Sequence, residues 1–184
     1  PRGGVLAVVG DDHAMKSSAQ AHHCEPAFAD MRIPVLYPSD IQEMLRFGLL
    51  GYALSRDSGS WVGLKTLPEL VNSSAVIEMS IDSMNIALPA SESAQVRNRH
   101  VQWPDPWPAG EVRFHQLKWP RILEFIRLND INRVVLRASR PRLGIVTAGK
   151  SYGDLLEALA QLDLSLQDAE RLGVSIYKVG CPWP

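Results

Sequence analysis

An α/β fold built on parallel sheet is what this chain predicts, on three observations. A short apolar run, Val5 to Val9, is bounded by glycines and leads into the polar loop Gly10-Asp11-Asp12-His13-Ala14-Met15-Lys16-Ser17-Ser18. Such a run reads as a fully buried strand. A long helical pattern opens at Ser39 between two extended runs, and residues 142–184 alternate strand, helix and strand. Ligands of open α/β sheets bind in the crevice at the carboxyl ends of the strands. The loop leaving the first strand is therefore the candidate site.

The elements follow in order. Residues 17–30 have weak periodicity and several small side chains, which predicts a loop and a short helix. Ile33 to Leu36 is a second short strand, limited by Pro34. Ser39 is read as the cap of the clearest helix, with Gln42 completing a capping-box pattern. Ile41, Met44, Leu45, Leu49, Tyr52 and Ala53 recur at near-helical spacing and predict its apolar face. Asp57, Ser58 and Gly59 end it. Trp61 to Leu64 predicts a strand, and Pro68 to Val71 a short helical turn.

Val76 to Met79 and Asn85 to Leu88 read as extended. Trp103 to Pro108 must be irregular, because Pro104, Pro106 and Pro108 cannot donate to a helix or a sheet. A helix is predicted from Lys118, with Pro120 in its first turn and Ile122, Leu123, Phe125, Ile126 and Leu128 apolar. Val134 to Leu136 is a short extended piece. Leu143 to Ala148 reads as a buried strand, and Ser151 to Leu162 as a helix with Tyr152, Leu155, Leu156 and Leu159 inward. Gln167 to Leu172 is a further helical turn ending at Gly173, and Val174 to Val179 is the next strand. This alternation implies a parallel strand pair with a right-handed crossover.

Composition narrows the function classes. Nineteen basic residues stand against twenty acidic ones in 184, so no electrostatic footprint for nucleic acid or an anionic membrane is expected. No apolar run is long enough to span a bilayer. Cys24 and Cys181 match no zinc or iron–sulfur spacing, and an intracellular, cytoplasmic location is the simplest expectation. Asn72-Ser73-Ser74 is a coincidental glycosylation sequon on that reading. The chain starts at Pro1 beside one core strand and stops at Pro184 after another. We therefore expect a piece of a longer polypeptide.

Three local motifs mislead. Gly144 to Ser151 satisfies the Walker A pattern, but Ile145, Val146 and Ala148 are the predicted strand itself, leaving no loop to cradle a phosphate. His22-His23-Cys24-Glu25 with His13 suggests a metal, yet adjacent side chains diverge and no second ligand pair follows. Ser17 and Ser18 have a histidine and acids nearby, but no nucleophile elbow is present.

The blocks Gly10-Asp11-Asp12 with Ser17-Ser18, Pro34 to Glu43, Ser60 to Lys65, Arg142 to Tyr152 and Tyr177 to Pro184 resemble the 2-oxoacid:ferredoxin oxidoreductases, most of all their indolepyruvate branch. The resemblance implies a three-layer parallel-sheet part-domain of the thiamine-diphosphate pyrimidine-binding type, followed by a βαβ transketolase C-terminal-like part-domain. Residues 1–75 would be the latter part of the first, 76–140 the inter-domain connection, and 141–184 the start of the second.

It also implies that Asp11, Asp12, His13, Lys16, Ser17 and Ser18 line a substrate or cofactor pocket. His13 and Lys16 would serve a substrate carboxylate or a developing oxyanion. His13, Lys16 and the His22-His23 pair depart from the more general family wording and suit the indolepyruvate branch better. The full-length parent would use thiamine diphosphate, Mg²⁺ and [4Fe–4S] clusters, and take a 2-oxoacid, coenzyme A and ferredoxin as partners, as a homo-oligomer or multi-subunit assembly. The ylid-forming glutamate, the Gly-Asp-Gly motif and the cluster cysteines are absent here. The piece alone is expected to hold no catalytic residue, metal or cofactor and to be silent. A pyruvate-type relative and a non-catalytic α/β assembly module are the alternatives.

Overall fold

A computed structural model of the chain describes residues 2–78, 85–90, 99–100 and 103–184. Its first sheet has the order β1–β3–β2, all parallel, from β1 (Leu6–Gly10), β2 (Val35–Leu36) and β3 (Val62–Thr66). Its second has the order β4–β6–β5, from β4 (Arg133–Leu136), β5 (Leu143–Ala148) and β6 (Val174–Val179). Strands β5 and β6 are parallel as expected, while β4 runs antiparallel to β6 and makes this sheet mixed. The α/β class therefore stands.

Position in the sheet explains two differences from expectation. β3 is central and buried along its whole length. β1 and β5, expected to be buried, are edge strands; Val8 is 66% exposed and Val146 71%. An apolar run alone does not distinguish an edge strand from a central one.

Helix α2 (Ile41–Ser58) starts one residue later than predicted. Asp40, not Ser39, is its cap and accepts from the Glu43 amide at 2.7 Å, while Glu43 reaches back to the Ser39 amide at 2.8 Å. Gly59 ends it in the left-handed conformation, φ 72°, a geometry that glycine adopts without a Cβ penalty. The buried face is Glu43, Phe47, Leu50, Gly51 and Leu54. The predicted face was displaced around the helix, and Leu45, Leu49 and Tyr52 are exposed.

The other helices are α1 (Glu25–Asp30), α3 (Pro68–Val71), α4 (Ala109–Arg113), α5 (Trp119–Leu128), α6 (Lys150–Gln161) and α7 (Leu166–Arg171). The helix expected from Lys118 begins earlier: a π-helical turn, Phe114–Lys118, joins α4 to α5. No strand forms at residues 76–78 or 85–88, and Met79 lies outside the described residues. The predicted inward residues of α6 are only half-buried.

One apolar core joins the elements. Leu36, Val62 and Leu64 of the first sheet meet Phe47, Leu50 and Leu54 of α2, Ile122, Phe125 and Ile126 of α5, and Cys181 beyond β6. The chain after β6 also pairs with β2: the Tyr37 amide donates to Gly180 O at 2.8 Å, and the Val35 amide to Trp183 O at 2.9 Å. Among the described residues no helix is long and apolar enough to cross a membrane.

Candidate functional site

Three parallel strands deliver their carboxyl ends to one place. Asp11 follows β1, Tyr37 follows β2, and Lys65 is the penultimate residue of β3. Parallel pairing aligns Val9 with Lys65 and Gly10 with Thr66, and the Asp11 amide continues the ladder to Thr66 O at 2.9 Å. Residues 11–24 then loop over the strand ends before Glu25 opens α1.

Lys65 is the centre of the site. Its side chain is fully buried, and its ammonium meets Asp11 Oδ2 at 3.0 Å, His13 Nε2 at 2.8 Å and Glu25 Oε1. The Tyr37 ring lies beneath Nζ, 4.6 Å from centroid to nitrogen, a cation–π contact. A buried ammonium is tolerated only when paired and hydrogen-bonded, and here three polar atoms surround it. The second oxygen of Glu25 is buried without a partner. Asp11 also accepts from the Cys24 amide at 2.8 Å and lies 3.3 Å from His22 Nδ1.

Burial pushes the Asp11 carboxyl up, but hydrogen bonds from Lys65 and the Cys24 amide outweigh it and hold the group below 3.8. The same burial and the adjacent Asp11 charge push the Cys24 thiol up to about 12. Asp12 organises the loop. Its carboxylate accepts from the amides of Ser17 (2.7 Å) and Lys16 (2.9 Å) and from the Ser18 hydroxyl (3.0 Å), and these bonds, the Ser17 amide foremost, hold it far below the usual carboxylate range.

Both depressed carboxyls contribute stability that is complete above their ordinary value of 3.8 and lost as pH falls through the folded values. The Tm is therefore expected to hold down to roughly pH 5 and fall below it. Scanning calorimetry across pH checks this; an Asp12→Asn variant should show a shallower acid decline, and an unchanged decline would refute the role of Asp12.

Of the six residues predicted for the pocket, the structure brings Asp11 and His13 together. Asp12, Ser17 and Ser18 form the loop's internal frame, and Lys16 pairs at the surface with Glu69 at 3.0 Å. Sequence reasoning passed over Lys65 as a site residue. The available signal was a lysine continuing the apolar run Val62-Gly63-Leu64, where only a paired cation can be buried.

Asp11, His13 and Glu25 each offer an atom within 4.8 Å of the others, a spacing suited to a metal ion. The same three residues surround the Lys65 ammonium, which already supplies the cation. The donor set does not fit a diphosphate-bound Mg²⁺, and no other such group occurs among the described residues.

The model of the indolepyruvate oxidoreductase domain matches residues 133–184. Indolepyruvate oxidoreductase subunit IorA of Archaeoglobus fulgidus is 27% identical over 169 residues, 90% of this chain and 26% of the relative. IorA of Methanothermobacter thermautotrophicus is 27% identical over 100% of this chain and 28% of its own length. The solved 2-oxoglutarate:ferredoxin oxidoreductase of Magnetococcus marinus, with 2-oxoglutarate, coenzyme A and succinyl-CoA bound, aligns with a TM-score of 0.52 at 15% identity, covering 83% of this chain and 31% of that one. At that identity the alignment speaks for the fold.

A polar loop over the ends of a parallel sheet, followed by a segment that matches the indolepyruvate oxidoreductase domain, defines an α/β protein segment. Residues 133–184 match the indolepyruvate oxidoreductase domain, and the chain as a whole is similar to IorA subunits, of whose length it spans only about a quarter.

Proposed function

We propose that the chain is a segment of a thiamine-diphosphate-dependent oxidoreductase of the indolepyruvate type. The whole protein decarboxylates an aryl 2-oxoacid oxidatively, joins the acyl unit to coenzyme A and passes the electrons through [4Fe–4S] clusters to ferredoxin, within a homo-oligomer or multi-subunit assembly. Similarity to IorA subunits over 90–100% of the chain carries this reading. Thiamine diphosphate supplies the carbanion chemistry, and parts of the protein outside this chain hold it with its Mg²⁺.

In this reading residues 1–75 complete a pyrimidine-binding domain, 76–140 connect, and 141–184 begin a transketolase C-terminal-like domain. The loop from Asp11 to Ser18 forms a pocket wall. Asp12, Ser17 and Ser18 keep its shape, Asp11 anchors it on Lys65, and His13 faces the ligand. Lys16 offers a charge at its rim.

The test is viologen or ferredoxin reduction by the full-length protein, comparing indolepyruvate with pyruvate, with and without coenzyme A. Reduction that needs both indolepyruvate and coenzyme A is expected. A preference for pyruvate would overturn the aryl substrate, and no reduction with any 2-oxoacid would leave a non-catalytic assembly module. The 184-residue chain alone is expected to bind no thiamine diphosphate with Mg²⁺ in calorimetry.

A further inference from the structure

We propose that Lys65 is a positioning residue that fixes His13 as the neutral Nδ1–H tautomer, so that the loop offers its ligand a hydrogen-bond donor of fixed identity. An ammonium has three donors and no acceptor. The three partners of Lys65 Nζ are Asp11 Oδ2, Glu25 Oε1 and His13 Nε2, the last at 2.8 Å. The Nε2 atom must therefore present its lone pair, and the ring proton resides on Nδ1.

The opposite assignment, a neutral amine accepting from Nε2–H, would leave Asp11 and Glu25 beside each other without a counter-charge. Asp11 is 3% exposed and one Glu25 oxygen is buried without a partner, and such carboxylates need a cation. A doubly protonated ring would set Nε2–H against the ammonium. Only the Nδ1–H form lets Nε2 accept from the ammonium while Asp11 and Glu25 keep their counter-charge.

His13 is suited to display the result. Its side chain is 43% exposed, and with Ala21, His22, His23 and Glu25 it lines a hollow of about 380 Å³. A neutral N–H there serves a carbonyl or carboxylate oxygen, the groups that a 2-oxoacid carries. This use rests on the proposed function above. The tautomer rests on the Lys65 cluster alone.

Long-range ¹H–¹⁵N spectra of histidine-labelled chain distinguish the two ring nitrogens, with His13→Asn identifying the signal. The expected result is a protonated Nδ1 and an unprotonated Nε2 at His13. Lys65→Met is expected to shift the ring toward the Nε2–H form that free histidine favours, and Lys65→Arg, which still donates, to restore Nδ1–H. A wild-type spectrum with Nε2 protonated would overturn the proposal even if Lys65→Met does not fold. So would a folded Lys65→Met chain with an unaltered His13 signal. These spectra need no substrate, so failure of the tautomer and failure of 2-oxoacid turnover are read separately.

Discussion

Gly149→Ala is expected to lower the Tm by roughly 10 °C or more, from several kcal/mol of strain and overlap at about 2–4 °C each in a domain of this size. Gly149 caps α6 with φ 52° and ψ −135°, a combination open essentially to glycine alone. A Cβ there would lie 2.2 Å from Cζ of Tyr37. Either the ring or the start of α6 must move. Displacing the ring would also disturb the cation–π contact beneath Lys65, so the damage should reach the candidate site.

Thermal unfolding of Gly149→Ala beside Gly149→Ala/Tyr37→Ala separates the two costs. The second change removes the overlap and keeps the backbone strain, so only part of the additional loss should be attributable to the ring. A Gly149→Ala chain melting within about 2 °C of the parent would refute the close approach. The glycine that completes the Walker-like pattern thus has a packing role: residues 143–148 are strand β5, as the sequence implied, and Gly149 admits a tyrosine ring.

Lys178→Met is expected to destabilise the fold by about 3 kcal/mol, the lower end of the usual cost of breaking a buried ion pair, because Glu43 keeps Arg133 at 3.5 Å and the Ser39 hydrogen bonds. Lys178 Nζ lies 2.8 Å from both Glu43 oxygens and 2.7 Å from Ser39 Oγ, over the Tyr152 ring at 4.4 Å. The Lys178 and Glu43 side chains are 1% and 7% exposed. Burial draws the Lys178 ammonium below its ordinary value despite Glu43, which marks the desolvation that the pair must offset.

The pair joins β6 to the first turn of α2, so it fastens the second sheet to the first. Glu43→Leu/Lys178→Met is expected to recover most of the lost stability, because well-packed apolar replacements of buried ion pairs are often neutral. Urea titrations of the two single variants and the double variant would decide. Additive losses, with no recovery, would mean that the two side chains do not act as a unit.

Much of the architecture was legible because it depends on short-range pattern. Pro68–Val71 and Val174–Val179 occupy the residues expected, and the β5–α6–β6 unit follows from strand–helix–strand alternation. The polar loop after β1 was recognised as the candidate site because an apolar run ends there. The face of α2 was not legible. Ile41, Leu45 and Leu49 and the true inward set Phe47, Leu50 and Leu54 both satisfy helical spacing, and only contact with α5 and β3 selects the second set.

The sequence by itself determined the α/β class, most of the regular elements and the similarity to indolepyruvate oxidoreductases, since these reside in local propensity and in residue identity along the chain. The tertiary structure alone decided which strands are edges, and that Lys65 and Lys178 are buried. It also decided that Asp11, His13 and Glu25 surround an ammonium. Those facts depend on residues far apart in sequence meeting at parallel strand ends. An apolar run can flag a lysine such as Lys65 for burial, but the acceptors that make the burial possible come from distant parts of the chain.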